Sequence, residues 1–354
     1  MMIRGMLSEV WRNVSTGTTR AVTLALTTTV VLTVFTLADV IMINRIEHNV
    51  HRFQAMAANM YKLDASDQID GLGCDRLSEA SNVQASGAVR EVTAITVDQA
   101  PEVPMTTYEV SYGFGDILGV YHTQVPGVWI ESELAKTLAV NPGDSLSTLN
   151  DALQVAAVFD WPNDGRDMRF GFAILVPREF EKPFDECWIQ SWPIAEDNDV
   201  LLRSTLIVTS DSYPTTVSQV NRTLGISLDA NLLYGERITW NAIWIGPLVL
   251  LVIGFIATWR RRLEYSANLH AGQTRSELLL GVAIESLIWV ITGCWLALMV
   301  DLAVIRIVGM TQVWPVWVSC AIVVWGSLVG ALFGGLSAAL AIREKALFRY
   351  LNTR

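Results

Sequence analysis

The sequence predicts a membrane protein: four transmembrane α-helices, with one large α+β extracytoplasmic domain between the first and the second. Three observations predict it. The 354 residues are 51% hydrophobic, too apolar for an ordinary soluble domain. The apolar residues gather in four runs, Ala21–Ile43, Ile243–Trp259, Leu278–Val300 and Trp314–Ile342, each close to the roughly 20 residues that cross a bilayer. Charge is divided as well. Residues 46–237 hold 28 Asp and Glu against 12 Lys and Arg, whereas the remainder holds 7 against 13.

That division predicts orientation. The basic excess sits in short flanks, at Arg4, Arg12 and Arg20, at 260–275 and at 343–354. Basic flanks stay on the cytoplasmic side. Both termini and the central loop are therefore expected in the cytoplasm of a cell-membrane protein, and the acidic domain outside. An acidic domain argues against nucleic acid as a partner, since phosphate contact needs a basic face.

Residues 1–20 carry Leu7, Val10, Trp11 and Val14 at helical spacing. They read either as an amphipathic helix on the inner membrane face or as a frayed lead-in to the first span. Residues 21–43 form the first span, read as an uncleaved anchor because the run is longer than a signal-peptide core. Asp39 is expected to reach the outer interface. Residues 44–239 make the outer domain, entered through a helical stalk over Arg45–Leu63. His48 and His51 share a helical face there, but with only Glu47 nearby they make a poor metal site.

Within the domain, Asp70–Asn82 reads as a short helix with Cys74, Leu77 and Ala80 inward. Val83–Val97 and Tyr108–Tyr112 read as strands. Glu131–Val140 is a helix, and Asn141-Pro142-Gly143-Asp144 a turn. Two strands follow, separated by a turn over Pro162–Gly165. Strands are expected at Trp188–Trp192 and Leu206–Thr209, and a helix at Pro214–Leu224. Cys74 and Cys187 are the two cysteines of this domain. A disulfide between them and two free thiols stand as alternatives. Cys294 and Cys320 fall in spans and read as packing residues.

The second span is residues 240–259, with Trp240, Trp244 and Trp259 as interfacial belts. Residues 260–277 are a short basic link, opening on Arg260, Arg261 and Arg262. Residues 278–300 are the third span and carry Glu285 about two turns in. A membrane-buried carboxylate must be paired or protonated, so it faces protein. Residues 301–313 are expected as an outer loop, 314–342 as the fourth span and 343–354 as a cytoplasmic tail. Gly326, Gly330 and Gly334 form a small-residue stripe on the fourth span. Such a stripe lets helices approach closely, either within one subunit or at a dimer seam.

The link and the third span resemble a family. Arg262, Glu264, Gly272, Thr274, Arg275, Leu278, Leu279, Glu285 and Leu287 match the pattern of MacB/FtsX-type ABC transporter permease subunits. In those proteins a basic segment with a Glu is followed by G-x-T-R and a helix with L-L and E-(A/S)-L. Asn268 and His270 depart from it. Pro142, Gly143 and Asp144, then Val155, Val158, Phe159 and Asp160, then Ala173–Pro177, are similar to the family's MacB-like outer domain.

The resemblance implies a non-catalytic subunit. No G-x-x-x-x-G-K-[ST] phosphate loop occurs in the sequence, so ATP and Mg would be bound by a partner ATPase dimer and this chain would hold no cofactor. No metal-ligand cluster or nucleophile motif is evident either. The implied coupling residues are Arg260, Arg261, Arg262, Glu264, Gly272, Thr274 and Arg275. Glu285 would join helices or take part in the conformational cycle. A second permease subunit, identical or different, is a further implied partner. The implied function is export or release of a substrate, driven by mechanical transmission to the outer domain. An FtsX-like regulator of a cell-wall hydrolase, held as an extracytoplasmic partner, is the alternative. A membrane-anchored sensor without an ATPase is a third.

Overall fold

The computed structural model describes residues 2–120, 126–148, 152–207, 214–310 and 313–343, with side chains from Ser8 onward except Glu9. The chain divides into two compact units, Asn49–Ala230 and Met1–His48 with Asn231–Arg354.

The helical unit opens with α1 (Met2–Ser15) and α2 (Ala21–Ala55). Val10 of α1 is buried, while Trp11 is exposed. The single helix α2 carries the first apolar run and ends at Ala55, short of the Leu63 expected for the stalk.

Among its described residues the other unit holds nine strands. They are β1 (Met60–Ile69), β2 (Val83–Ile95), β3 (Met105–Val110), β4 (Val128–Glu131), β5 (Ser145–Ser147), β6 (Ala152–Phe159), β7 (Ala173–Pro177), β8 (Phe184–Ser191) and β9 (Thr216–Gln219). They form one mixed sheet in the order β5-β6-β4-β7-β3-β2-β8-β1-β9. β3 runs parallel to β7 and β4 parallel to β6; the other pairs are antiparallel. Short helices α3 (Gly71–Arg76), α4 (Phe114–Leu118), α5 (Ser132–Leu138) and α6 (Asn198–Arg203) lie between strands.

Both sheet faces are buried, and β8 shows how. Successive strand residues point to opposite faces. Trp188 enters an aromatic cluster with Phe114, Trp161 and Phe170, whereas its neighbours Cys187 and Ile189 join a second cluster with Leu63, Ile69 and Leu202. Cys187 is bonded to Cys74 of α3, with the two Cα atoms 5.8 Å apart, and the bond spans 113 residues of chain.

Several expectations are corrected here. Pro214–Leu224 is not a helix; Thr216–Gln219 pairs with β1 as an edge strand. The β-branched residues Thr215, Thr216 and Val217 suit a pleated edge better than a helix. The strand expected at Tyr108–Tyr112 is centred earlier, in β3. Leu206 makes an isolated bridge to Ile69, and residues 208–209 of that expected strand lie outside the described residues.

The chain returns to the helical unit through α7 (Ala230–Gly235) and continues with α8 (Ala242–Trp259), α9 (Arg262–His270), α10 (Arg275–Val308) and α11 (Val313–Ala341). Among the described residues, four helices, α2, α8, α10 and α11, are long and apolar enough to cross a membrane. The loop expected over 301–313 is largely helix, because α10 runs on to Val308 and is closed by Gly309 at φ +70°. No Gly or Pro interrupts Asp301–Val308, and Asp301 is turned inward, accepting from the Thr36 hydroxyl of α2 at 3.0 Å. The tail expected at 343–354 lies outside the described residues beyond Arg343.

The glycine stripe faces α8 of the same chain. A Cβ on Gly330 would sit 2.2 Å from the Pro247 carbonyl oxygen, and one on Gly334 1.9 Å from that of Leu251. Gly326 stands against the Pro247 ring. Close backbone approach of this kind needs glycine. It commits the stripe to packing within the chain rather than to a dimer seam.

Candidate functional site

The residues expected to carry coupling gather where α8, α9 and α10 meet. Helix α9 is short, polar on one side and apolar on the other. Its Leu263, Tyr265 and Leu269 pack with Trp259, Leu278, Val282, Ala339 and Ile342. It is therefore fixed to α10 and α11 by burial, not hung on a slack loop. The turn after it depends on Gly272, at φ +97°, a backbone that side chains rarely adopt. Thr274 then caps α10. Its hydroxyl accepts from the Glu277 amide at 3.3 Å, and the Glu277 carboxylate accepts from the Thr274 amide at 3.0 Å. This reciprocal capping box starts the long helix sharply.

Glu285 is the hub of the site. It is 7% exposed. One carboxylate oxygen accepts from Asn13 Nδ2 of α1 at 3.0 Å. The other accepts from Arg261 Nη1 and, at 3.3 Å, from the Tyr265 hydroxyl of α9. Arg261 also forks onto Glu264, its Nε and Nη2 donating at 2.9 and 2.6 Å. The Arg261 guanidinium lies 4.8 Å from the Tyr265 ring centre. Three donor side chains, Asn13, Arg261 and Tyr265, thus tie α1, α9 and α10 around one carboxylate.

The electrostatics keep two donors of this knot, Arg261 and Tyr265, protonated. Burial works against the Arg261 charge, but the Glu264 hydrogen bonds, with Tyr265 and Glu285 nearby, outweigh it and raise its pKa further. Burial, reinforced by Glu285, pushes the Tyr265 phenol far above the ordinary tyrosine range. Tyr265 therefore remains a donor to Glu285 at any physiological pH.

The resemblance implies a coupling role for Arg261 and Glu264. Within the chain Arg261 is turned inward, its side chain 12% exposed, and Glu264 is its counter-ion. The reason is geometric: Arg261 follows α8 and lies one helical turn before Tyr265, so both point at α10. Arg260 is exposed, and so are Gly272, Thr274 and Arg275. Arg262 stacks on Trp259, 5.7 Å from its ring centre. Asn13 and Tyr265 escape a reading of the sequence. The available signal is a polar Asn beside Val10 and Val14 on the inward side of α1.

A second knot closes the other end of α8. Arg237 Nε donates to Asp39 Oδ1 at 2.8 Å, Nη1 to the Tyr234 carbonyl at 2.6 Å and Nη2 to the Ser319 hydroxyl at 2.9 Å. The Thr239 hydroxyl donates to the same Asp39 oxygen. The guanidinium carbon is 3.9 Å from the Tyr234 ring centre and 4.9 Å from that of Trp240. Asp39 is thus not an interfacial carboxylate, as expected, but a buried ion-pair partner. Arg237 escapes notice in the sequence because its partner is 198 residues away.

No protein-family model matches the chain, and no curated protein does. Among solved structures, the periplasmic region of MacB from Actinobacillus actinomycetemcomitans is similar at 11% identity and TM-score 0.35, over 49% of this chain and 94% of that one. The extracellular domain of the ABC-type transporter YknZ from Gram-positive bacteria is similar at 12% identity and TM-score 0.29, over 40% of this chain and 88% of that one. At such values each is a similarity and decides nothing about function.

Proposed function

We propose that this chain is a permease subunit of an ABC transporter of the MacB/FtsX type. A separate ATPase dimer binds ATP and Mg, and α9 rests on it as the coupling helix. The termini and α9 face the cytoplasm, and the sheet unit lies outside. The basic flanks support that orientation, and the buried Cys74–Cys187 bond suits an oxidising compartment. The work delivered outside is export or release of a substrate, with a second permease subunit beside this one.

One observation carries the reading. The Arg261–Glu285 contact, with Asn13 and Tyr265, binds the elbow to α1 and α10. A push on α9 is then passed to the long helices instead of being absorbed in a loop. Gly272, Thr274 and Arg275 are exposed positions left for the ATPase to touch.

Co-purification from native membranes, followed by ATP turnover in liposomes, tests the proposal. An ABC ATPase should come down with the chain and hydrolyse ATP faster in its presence. A bound cell-wall hydrolase with no substrate movement would replace export by hydrolase regulation. Recovery of neither partner would leave an anchored sensor and defeat the proposal.

A further inference from the structure

A groove of about 350 Å3 opens between the turn into α2 and the last turn of α8. Its wall is apolar, with Leu24 from α2 and Ile253 and Ile256 from α8; its rim is polar and basic, with Thr18, Arg20 and Arg260. Along α8 the order is apolar at 253 and 256 and cationic at 260, on neighbouring turns of one helix side. Charge therefore sits at the mouth and hydrocarbon below it.

The charge at the mouth is not spent. Arg261 also lines the groove, but Glu264 and Glu285 neutralise it. Arg20 and Arg260 have no ion-pair or hydrogen-bond partner for their side chains among the described residues. Arg20 is also held at φ +52°, a left-handed backbone that a non-glycine residue adopts at a cost. Two unneutralised arginines above an apolar wall call for an occupant that is anionic at one end and hydrocarbon at the other.

We infer that this groove binds an anionic phospholipid. The head-group phosphate lies between Arg20 and Arg260, near the Thr18 hydroxyl, and an acyl chain descends along Leu24, Ile253 and Ile256. The inference takes from the proposed function only the placement of this end of α8 at the membrane surface; it needs no ATPase. A protein partner would not account for the apolar wall, which stays open to the outside, Ile256 being 50% exposed.

Native mass spectrometry of the detergent-purified full chain, titrated with phosphatidylglycerol or phosphatidylcholine, tests it. Two arginines at a membrane surface give a preference for the anionic lipid of about thirtyfold. R20Q/R260Q should bring the two lipids to near parity, while R20K/R260K and the distant R306Q keep the preference. Unfolding scans without lipid check that each variant is folded; if the double variant is not, R260Q alone should lose several-fold in the same titration. Soluble glycerol phosphate should fail to displace the lipid. Equal retention of both lipids by the unmodified chain would overturn the inference, as would a preference that survives R20Q/R260Q. Displacement by glycerol phosphate would make this a small-anion site instead. Normal lipid binding with lost ATPase stimulation in R20Q/R260Q would assign the arginines to a protein interface, sinking the lipid site but not the permease.

Discussion

An arginine holds each end of α8, and the two are held differently. Arg237 gives its donors to a carboxylate, a carbonyl and a hydroxyl, and its side chain is 1% exposed. Arg261 divides its donors between Glu264 on α9 and Glu285 on α10, and its side chain is 12% exposed. The first set is closed, with no competing acceptor. The second contains two carboxylates for one cation, so Arg261 can loosen from Glu285 while keeping Glu264. A closed set makes an anchor. A shared set makes a joint, whose cation keeps one carboxylate if it loses the other.

The largest expected effect breaks the anchor. Arg237→Met leaves Asp39 buried without its counter-ion, which costs about 3–5 kcal/mol. Chemical unfolding of the purified protein should show that loss. Adding Asp39→Leu removes the orphaned charge and should recover most of it, because a buried ion pair replaced by apolar residues is often near neutral. If R237M alone is as stable as the parent, the closed set is not an anchor.

The joint should respond less in stability and more in coupling. Glu285→Gln keeps the shape and removes one charge, while Arg261 retains Glu264. A loss of about 1–2 kcal/mol is expected, with ATP stimulation in the reconstituted complex falling sharply. A larger stability loss than in R237M would reverse the assignment of anchor and joint.

A double-mutant cycle sharpens the same point. Glu264→Gln and Glu285→Gln each leave Arg261 one carboxylate, but together they leave it none. The pair should be worse than the sum of the singles by about 1 kcal/mol or more. Strict additivity in the unfolding midpoints would mean that the two acceptors are not shared.

The spans are legible in the sequence because an apolar run of bilayer length has little else it can become. The extent of α10 is not, because Asp301 and Arg306 look like the start of a loop; only the fold shows Asp301 turned toward Thr36. Glu285 is readable as a buried carboxylate that needs a partner, but not as the hub of three donors on α1 and α9. The two knots pair residues 24 and 198 positions apart, and no helical or strand period links such distances. In the sheet unit, β9 is hidden because Thr, Ser and Gln suit caps and turns as well as an edge strand.

The smallest expected stability effect falls on the turn that closes the joint. Gly272 has φ +97°, and a Cβ there would meet nothing within 4 Å. The cost of Gly272→Ala is therefore backbone strain alone, about 1 kcal/mol, with no clash and no lost contact. The apolar face of α9 should stay seated on Leu278, Val282 and Ile342. What changes is the angle at which α9 meets the capped start of α10, and with it the line along which a push reaches Glu285. Unfolding should shift by little while ATP stimulation drops. A turn that served only to reverse the chain would give the same small loss in stability with unaltered turnover.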